Sequence, residues 1–240
     1  LEILFFSPNI LFIPVIMMFN SIVFFVVGVV VFCRKVDCFR FAFVFFNKKE
    51  ILSLLPFFII SVSAVVVNWG GVVFSGFYLD NPSLAILSIV IRISSVVAFV
   101  LVVANTVLAS RISILFKSGQ AGVLKKTIKN SSFLLGIISL FIFIFIVVFG
   151  KFILAKFGSE YVSGYKLLLL ISFSQVINCY SGPVGLLLTM SGNEKIMRNI
   201  MLLVSFVFVT LNFIMCYFWG VKGAAFSISF TLVFQNLLAI

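Results

Sequence analysis

The 240-residue chain contains no histidine and only six acidic residues. The first absence excludes imidazole acid-base relays, histidine-held metal sites and histidine-dependent membrane acyltransferases. The second bears on catalysis in general. Glu2, Asp37, Glu50 and Glu194 fall in or near predicted loops or termini, and Asp80 and Glu160 at predicted helix ends. No two carboxylates therefore share an apolar segment, which argues against a buried carboxylate dyad and against a two-metal site. Cysteine is as sparse: Cys33, Cys38, Cys179 and Cys216 make no disulfide framework, and the Cys33-x4-Cys38 pair has no further ligands nearby to complete a four-ligand zinc site. On these grounds the chain is not expected to be an enzyme, and no cofactor is expected.

What the sequence holds instead is apolar surface. Hydrophobic residues make up 63% of it and charged residues 10%, against roughly 45–50% and about 25% in soluble domains. Such a chain, if folded in water, would expose apolar patches far larger than soluble monomers tolerate. It reads as an all-α integral membrane protein, a polytopic helix bundle. A hydrocarbon core of about 30 Å needs roughly 20 apolar residues at 1.5 Å each, and seven runs qualify: residues 10–32, 51–76, 84–109, 132–150, 167–189, 200–218 and 224–240. Barrel strands are a poor alternative, because residues 141–149 (FIFIFIVVF) are apolar at every position instead of alternating.

Orientation follows from lysine and arginine, which cytoplasmic loops retain. The loops after spans one, three and five hold twelve of the seventeen, from Arg34 to Lys49, from Arg111 to Lys129, and at Lys195 and Arg198. The loops after spans two, four and six hold four, and Arg92 alone lies inside a span. Strict alternation places the three basic loops on one side, read as cytoplasm. The net charge of +11 is then explained by anionic lipid headgroups, and nucleic acid is not expected as a partner, since no soluble basic module with interleaved aromatics is present. The segment Phe39 to Glu50 reads either as an interfacial stretch or as the start of span two, and Lys117 to Asn130 as a short solvated or interfacial connector. The start at Leu1 and the end at Ile240 inside an apolar run give the expectation of a fragment.

Arg92 is the sharpest functional signal. A guanidinium about eight residues into a span costs on the order of 3 kcal/mol or more, so it should face protein, water or an anion. Ser88, Ser95, Thr106 and Ser110 fall near its face and give span three one polar stripe. The plainer reading is snorkelling or a packing contact; Asp80 lies about 18 Å away along the helix, too far to pair directly. Span two repeats Ser61, Asn68 and Ser75 at heptad distance, flanked by Ala64 and Gly71, which suits helix packing, with a cavity-lining role for Asn68 as the other reading. Span five carries Ser172, Gln175, Asn178, Gly182 and Thr189 on one broad face, and residues 181–185 (SGPVG) weaken its ladder, marking either a plain kink or a bend beside a cavity.

The order of these features resembles the polysaccharide repeat-unit flippases (the O-antigen or Wzx type) of the multidrug/oligosaccharidyl-lipid/polysaccharide exporter superfamily. The stretch from Pro82 through Arg92 to Leu108 and Gly119 is similar to that family's seventh-to-eighth helix region and following cytoplasmic loop. Phe157 to Tyr161, Leu167 to Ser174, Gly182 and Leu186 to Glu194 are similar to its helix-nine exit, helix ten and the short loop after it. The resemblance implies helices six to twelve of a twelve-helix transporter: residues 1–33 as the last helix of the N-terminal half, 34–50 as the basic cytoplasmic linker and 51–240 as a C-terminal six-helix bundle. It implies alternating access that carries a polyprenyl-diphosphate-linked oligosaccharide across a bacterial cytoplasmic membrane, alongside other membrane proteins of polysaccharide assembly. Substrate-binding candidates are then Arg92, Asn68, Gln175 and Asn178. The likeness departs at Asn68, where members often carry an acid, which argues against ion coupling there. A drug or ion exporter of the same superfamily would offer cations an acidic cavity, a seven-helix receptor would place an acid beside Arg111, and a glycosyltransferase or polymerase would need a sizeable outer loop.

Overall fold

The computed structural model describes residues 12–35 and 48–239. The chain divides into two compact units at Asn47/Lys48. Helix α1 (Phe12–Lys35) belongs to the first unit, and α2 (Lys48–Ser75), α3 (Asn81–Lys117), α4 (Ala121–Phe157), α5 (Tyr165–Ser181), α6 (Val184–Met190) and α7 (Glu194–Ala239) to the second. A 3-10 turn, Ser159–Gly164, leads into α5. Most of the basic linker at 34–50, including Cys38 and the phenylalanines from Phe39 onward, lies outside the described residues.

Among the described residues six helices are long and apolar enough to cross a membrane, where the sequence reading counts seven spans. The difference lies in α7. As a straight rod its 46 residues would reach about 69 Å, more than twice the hydrocarbon thickness. Gly220 breaks it, with φ 55° and ψ −134°, a backbone conformation that a side chain at Cβ resists. Asn212 Nδ2 then donates to Ser227 Oγ at 3.0 Å, although residues fifteen apart on a straight helix would lie about 22 Å apart. The two arms, 194–219 and 221–239, therefore run side by side as a hairpin, and the last two apolar runs of the sequence are its arms. A Cβ at Gly223 would strike the Met215 carbonyl, so the second arm begins with its backbone against the first.

The distribution of side chains is that of a protein dissolved in lipid. Ser75, Ser139, Ser172, Asn212, Ser227 and Thr231 are fully buried, while Phe99, Phe141, Phe206 and Phe218 are largely exposed. Water would invert that arrangement; in hydrocarbon, small and polar residues turn inward, where short side chains let backbones approach. The protein is an all-α, multi-pass membrane protein.

Two other sequence expectations are corrected. Lys117–Asn130 is not a connector. Only Ser118–Gln120 leaves the helix: Gly119 N–H donates to Phe116 O at 3.1 Å and Gln120 N–H to Leu115 O at 3.2 Å, the paired closure of a Schellman turn. Lysines 125, 126 and 129 are good helix formers and sit on the first turns of α4. Span five is likewise not one helix. α5 stops at Ser181, Gly182 takes φ 75° and ψ −160°, and α6 restarts after Pro183, which lacks the N–H a continuing ladder needs.

Packing within the second unit is uneven in a way that positions the site. α2 lies along α7, while α3 and α4 pack on α5, and α5 on α7. Leu87, Val90 and Val97 of α3, Leu168 and Ile171 of α5, and Ala224 and Ala225 of α7 join in one buried core. α2 and α3, consecutive in the chain, scarcely touch.

Candidate functional site

The gap between α2 and α3 is a cavity of about 700 Å³. α2 contributes Asn68 and Trp69, α3 contributes Ser88, Arg92 and Ser95, and the floor is Ile171 and Gln175 of α5 with Ile228 and Leu232 from the second arm of α7. Three residues singled out in the sequence, Arg92, Asn68 and Gln175, thus meet in one space. Arg92 is exposed on the wall, and its side chain makes no ion pair or hydrogen bond with any described residue. Among the described residues no acidic one lines the cavity. Asp80 is exposed at the start of α3 and offers no cap hydrogen bond.

The serine hydroxyls of the wall have fixed polarity. Ser88 donates to Leu84 O at 2.8 Å and Ser95 to Arg92 O at 2.7 Å, so each hydroxyl shows the cavity lone pairs alone. Asn68 Nδ2 donates to Ala64 O at 2.8 Å, which leaves its carbonyl oxygen and its second N–H without a partner among the described residues. Thr106 and Ser110, placed by helical spacing on the Arg92 face, bond back to Val103 O and Val107 O and do not reach the cavity.

Asn178, the fourth candidate, is one step removed. Its Nδ2 donates to Gln175 Oε1 at 3.2 Å, and its Oδ1 accepts from Asn236 Nδ2 at 2.9 Å. Asn236 Nδ2 also donates to the Leu232 carbonyl at 2.8 Å. That carbonyl can only accept, so the whole relay has one direction: Leu232 fixes Asn236, Asn236 fixes Asn178, and Asn178 takes the oxygen of Gln175. Gln175 is left with its N–H groups for the cavity. Two donor side chains, Arg92 and Gln175, therefore share a space with a few weak acceptors and no carboxylate.

No protein family, curated protein or solved structure matches this chain. The site must be read from its own chemistry. Among the described residues no three cysteines or carboxylates gather closely enough to hold a metal ion. A large, mostly apolar space with donors and a fixed positive charge suits a ligand that joins an anion to a bulky remainder.

Sequence reasoning missed Asn236 and the α7 part of the floor. Asn236 is buried near the chain end, and its partner stands 58 positions away, a pairing that no single-helix periodicity displays. The heptad Ser61, Asn68, Ser75 also separates in space. Ser75 is buried against Asn212 and Cys216 of α7, at 3.4 and 3.3 Å, whereas Ser61 is exposed and Asn68 faces the cavity.

Proposed function

We propose that this protein carries a lipid-diphosphate-linked oligosaccharide across a bacterial cytoplasmic membrane for surface polysaccharide synthesis, by rocking about the space that Arg92 lines. The observation that carries the reading is the guanidinium without a counter-ion in a cavity free of carboxylates. An intramembrane cation is costly unless something compensates it, and a diphosphate does so with charge-assisted, often bidentate hydrogen bonds. Gln175 adds donors of the same sense. The lining is otherwise mainly apolar, as a polyprenyl chain entering with its headgroup requires, and Trp69 and Phe99 stand largely exposed on the walls. A cation exporter of similar build would need an acid in this place, and none of the described residues that line the cavity is one.

The test is translocation in proteoliposomes carrying a fluorescent lipid-diphosphate oligosaccharide, with a membrane-impermeant quencher reporting the outward-facing fraction. Arg92→Ala should insert normally and slow translocation by on the order of tenfold or more, the loss of one charge-assisted contact. Translocation at the wild-type rate by a correctly inserted Arg92→Ala variant would overturn the reading.

A further inference from the structure

A second cationic space lies at the other end of α3, away from the proposed transport cavity. It is a pocket of about 300 Å³ between the C-terminal part of α3 and the first turns of α4, lined by Arg111, Val123, Lys126, Thr127, Asn130 and Ser131. The five polar side chains among these make no hydrogen bond or ion pair with any described residue. The contrast with the adjoining turn is direct, because Ser110 and Thr106 satisfy their hydroxyls on their own helix, while Thr127 and Ser131 leave theirs free. Nor does the sequence offer a neighbouring acid: between Asp80 and Glu160 there are eight lysines and arginines and no carboxylate. Arg111 and Lys126 sit about 9–11 Å along their helices from the Ser118–Gln120 turn, just beyond the apolar runs at 84–109 and 132–150. That depth is the membrane interface, on the side that the basic loops mark as cytoplasmic.

We infer that this pocket is a binding site for a phosphate group, held between Arg111 and Lys126 with Thr127, Asn130 and Ser131 supplying neutral hydrogen bonds, and that its ordinary source is an anionic phospholipid headgroup. A fork of guanidinium donors on one helix and an ammonium on the next embraces a tetrahedral anion. Clefts of this kind between membrane helices take anionic headgroups, and Val123 gives the adjoining glycerol and acyl carbons an apolar side. By tying the start of α4 to the end of α3, a bound headgroup would brace the turn between them.

The experiment is native mass spectrometry of the purified full chain in non-ionic detergent, titrated with phosphatidylglycerol or phosphatidylcholine. Phosphatidylglycerol should bind at one site and phosphatidylcholine should not saturate it. Arg111→Gln with Lys126→Gln should weaken phosphatidylglycerol by on the order of tenfold, whereas Lys125→Gln with Lys129→Gln, the same charge loss on α4 outside the pocket, should stay within about twofold. Equal losses in the two pairs would overturn the site in favour of diffuse attraction, as would no loss in either. Should the first pair fail to fold, Asn130→Leu tests the same pocket without removing charge, and unchanged phosphatidylglycerol affinity there overturns the assignment. In a parallel arm with inorganic phosphate alone, weak binding supports the lipid as source, and binding as tight as the lipid's overturns that source while leaving the phosphate assignment standing.

Discussion

An asparagine whose nitrogen is committed to a backbone carbonyl has no freedom of orientation, and this constraint passes from Asn236 through Asn178 to Gln175. Reversing it at the remote end should reverse what the cavity feels. In Asn236→Asp the carboxylate can only accept, so Asn178 turns to donate toward it, Gln175 turns to donate toward Asn178, and an oxygen replaces the N–H groups facing Arg92's space. The expected outcome is a fall of about tenfold in affinity for a lipid diphosphate, comparable to one hydrogen bond lost to a charged group. Gln175→Leu, which removes the donors without offering an acceptor, should fall less. Competition binding in detergent reads both. Unchanged affinity in Asn236→Asp would show that the relay has no hold on the cavity.

Among the elements, the break between α5 and α6 shows how local chemistry overrides a continuous apolar run. Gly182 combines a φ of 75° with a ψ of −160°, a region that is essentially open to glycine alone. A Cβ there would also collide with Ser132 of α4. Two separable costs follow. Gly182→Ala should destabilise the protein by about 1–3 kcal/mol from the backbone alone, with more from the collision. Adding Ser132→Ala should relieve only the part owed to the hydroxyl, and so recover part of the thermal midpoint, read by a dye-free unfolding scan in detergent. Full recovery would mean that the backbone conformation carries no cost, and a Gly182→Ala midpoint equal to wild type would mean that the break is not held at this residue.

At the scale of the whole molecule, what was legible in the sequence is what depends on one helix at a time. The apolar runs, the lone Arg92, the small and polar residues of α2 and the glycine-proline interruption of span five were all visible, because hydropathy and periodicity are properties of a segment. What was not legible depends on partners distant in the chain. Asn68 facing a cavity rather than a neighbour, Asn236 beneath Asn178, and Ser75 against Asn212 all require knowing which helices adjoin. The turn at Gly220 falls between, since the sequence placed a gap there but did not show that the arms fold flat together. That fold-back decides the topology. Tyr78, just after α2, meets Tyr217 of the first arm at 6.2 Å between ring centroids and Phe213 at 5.8 Å, so the hairpin tip lies at the same end of the bundle as the turn before α3. Aromatic residues with polar tips favour the membrane interface, and this end is opposite the basic turn at Ser118–Gln120 along α3. In a background with the native cysteines replaced by serine or alanine, Asp80→Cys and Lys222→Cys should therefore react with a membrane-impermeant maleimide on intact cells, and Ser118→Cys only after the membrane is opened. Were Lys222→Cys to label together with Ser118→Cys instead, α7 would not be a hairpin crossing twice, and the inward orientation of the basic turn would fall if Ser118→Cys labelled on intact cells.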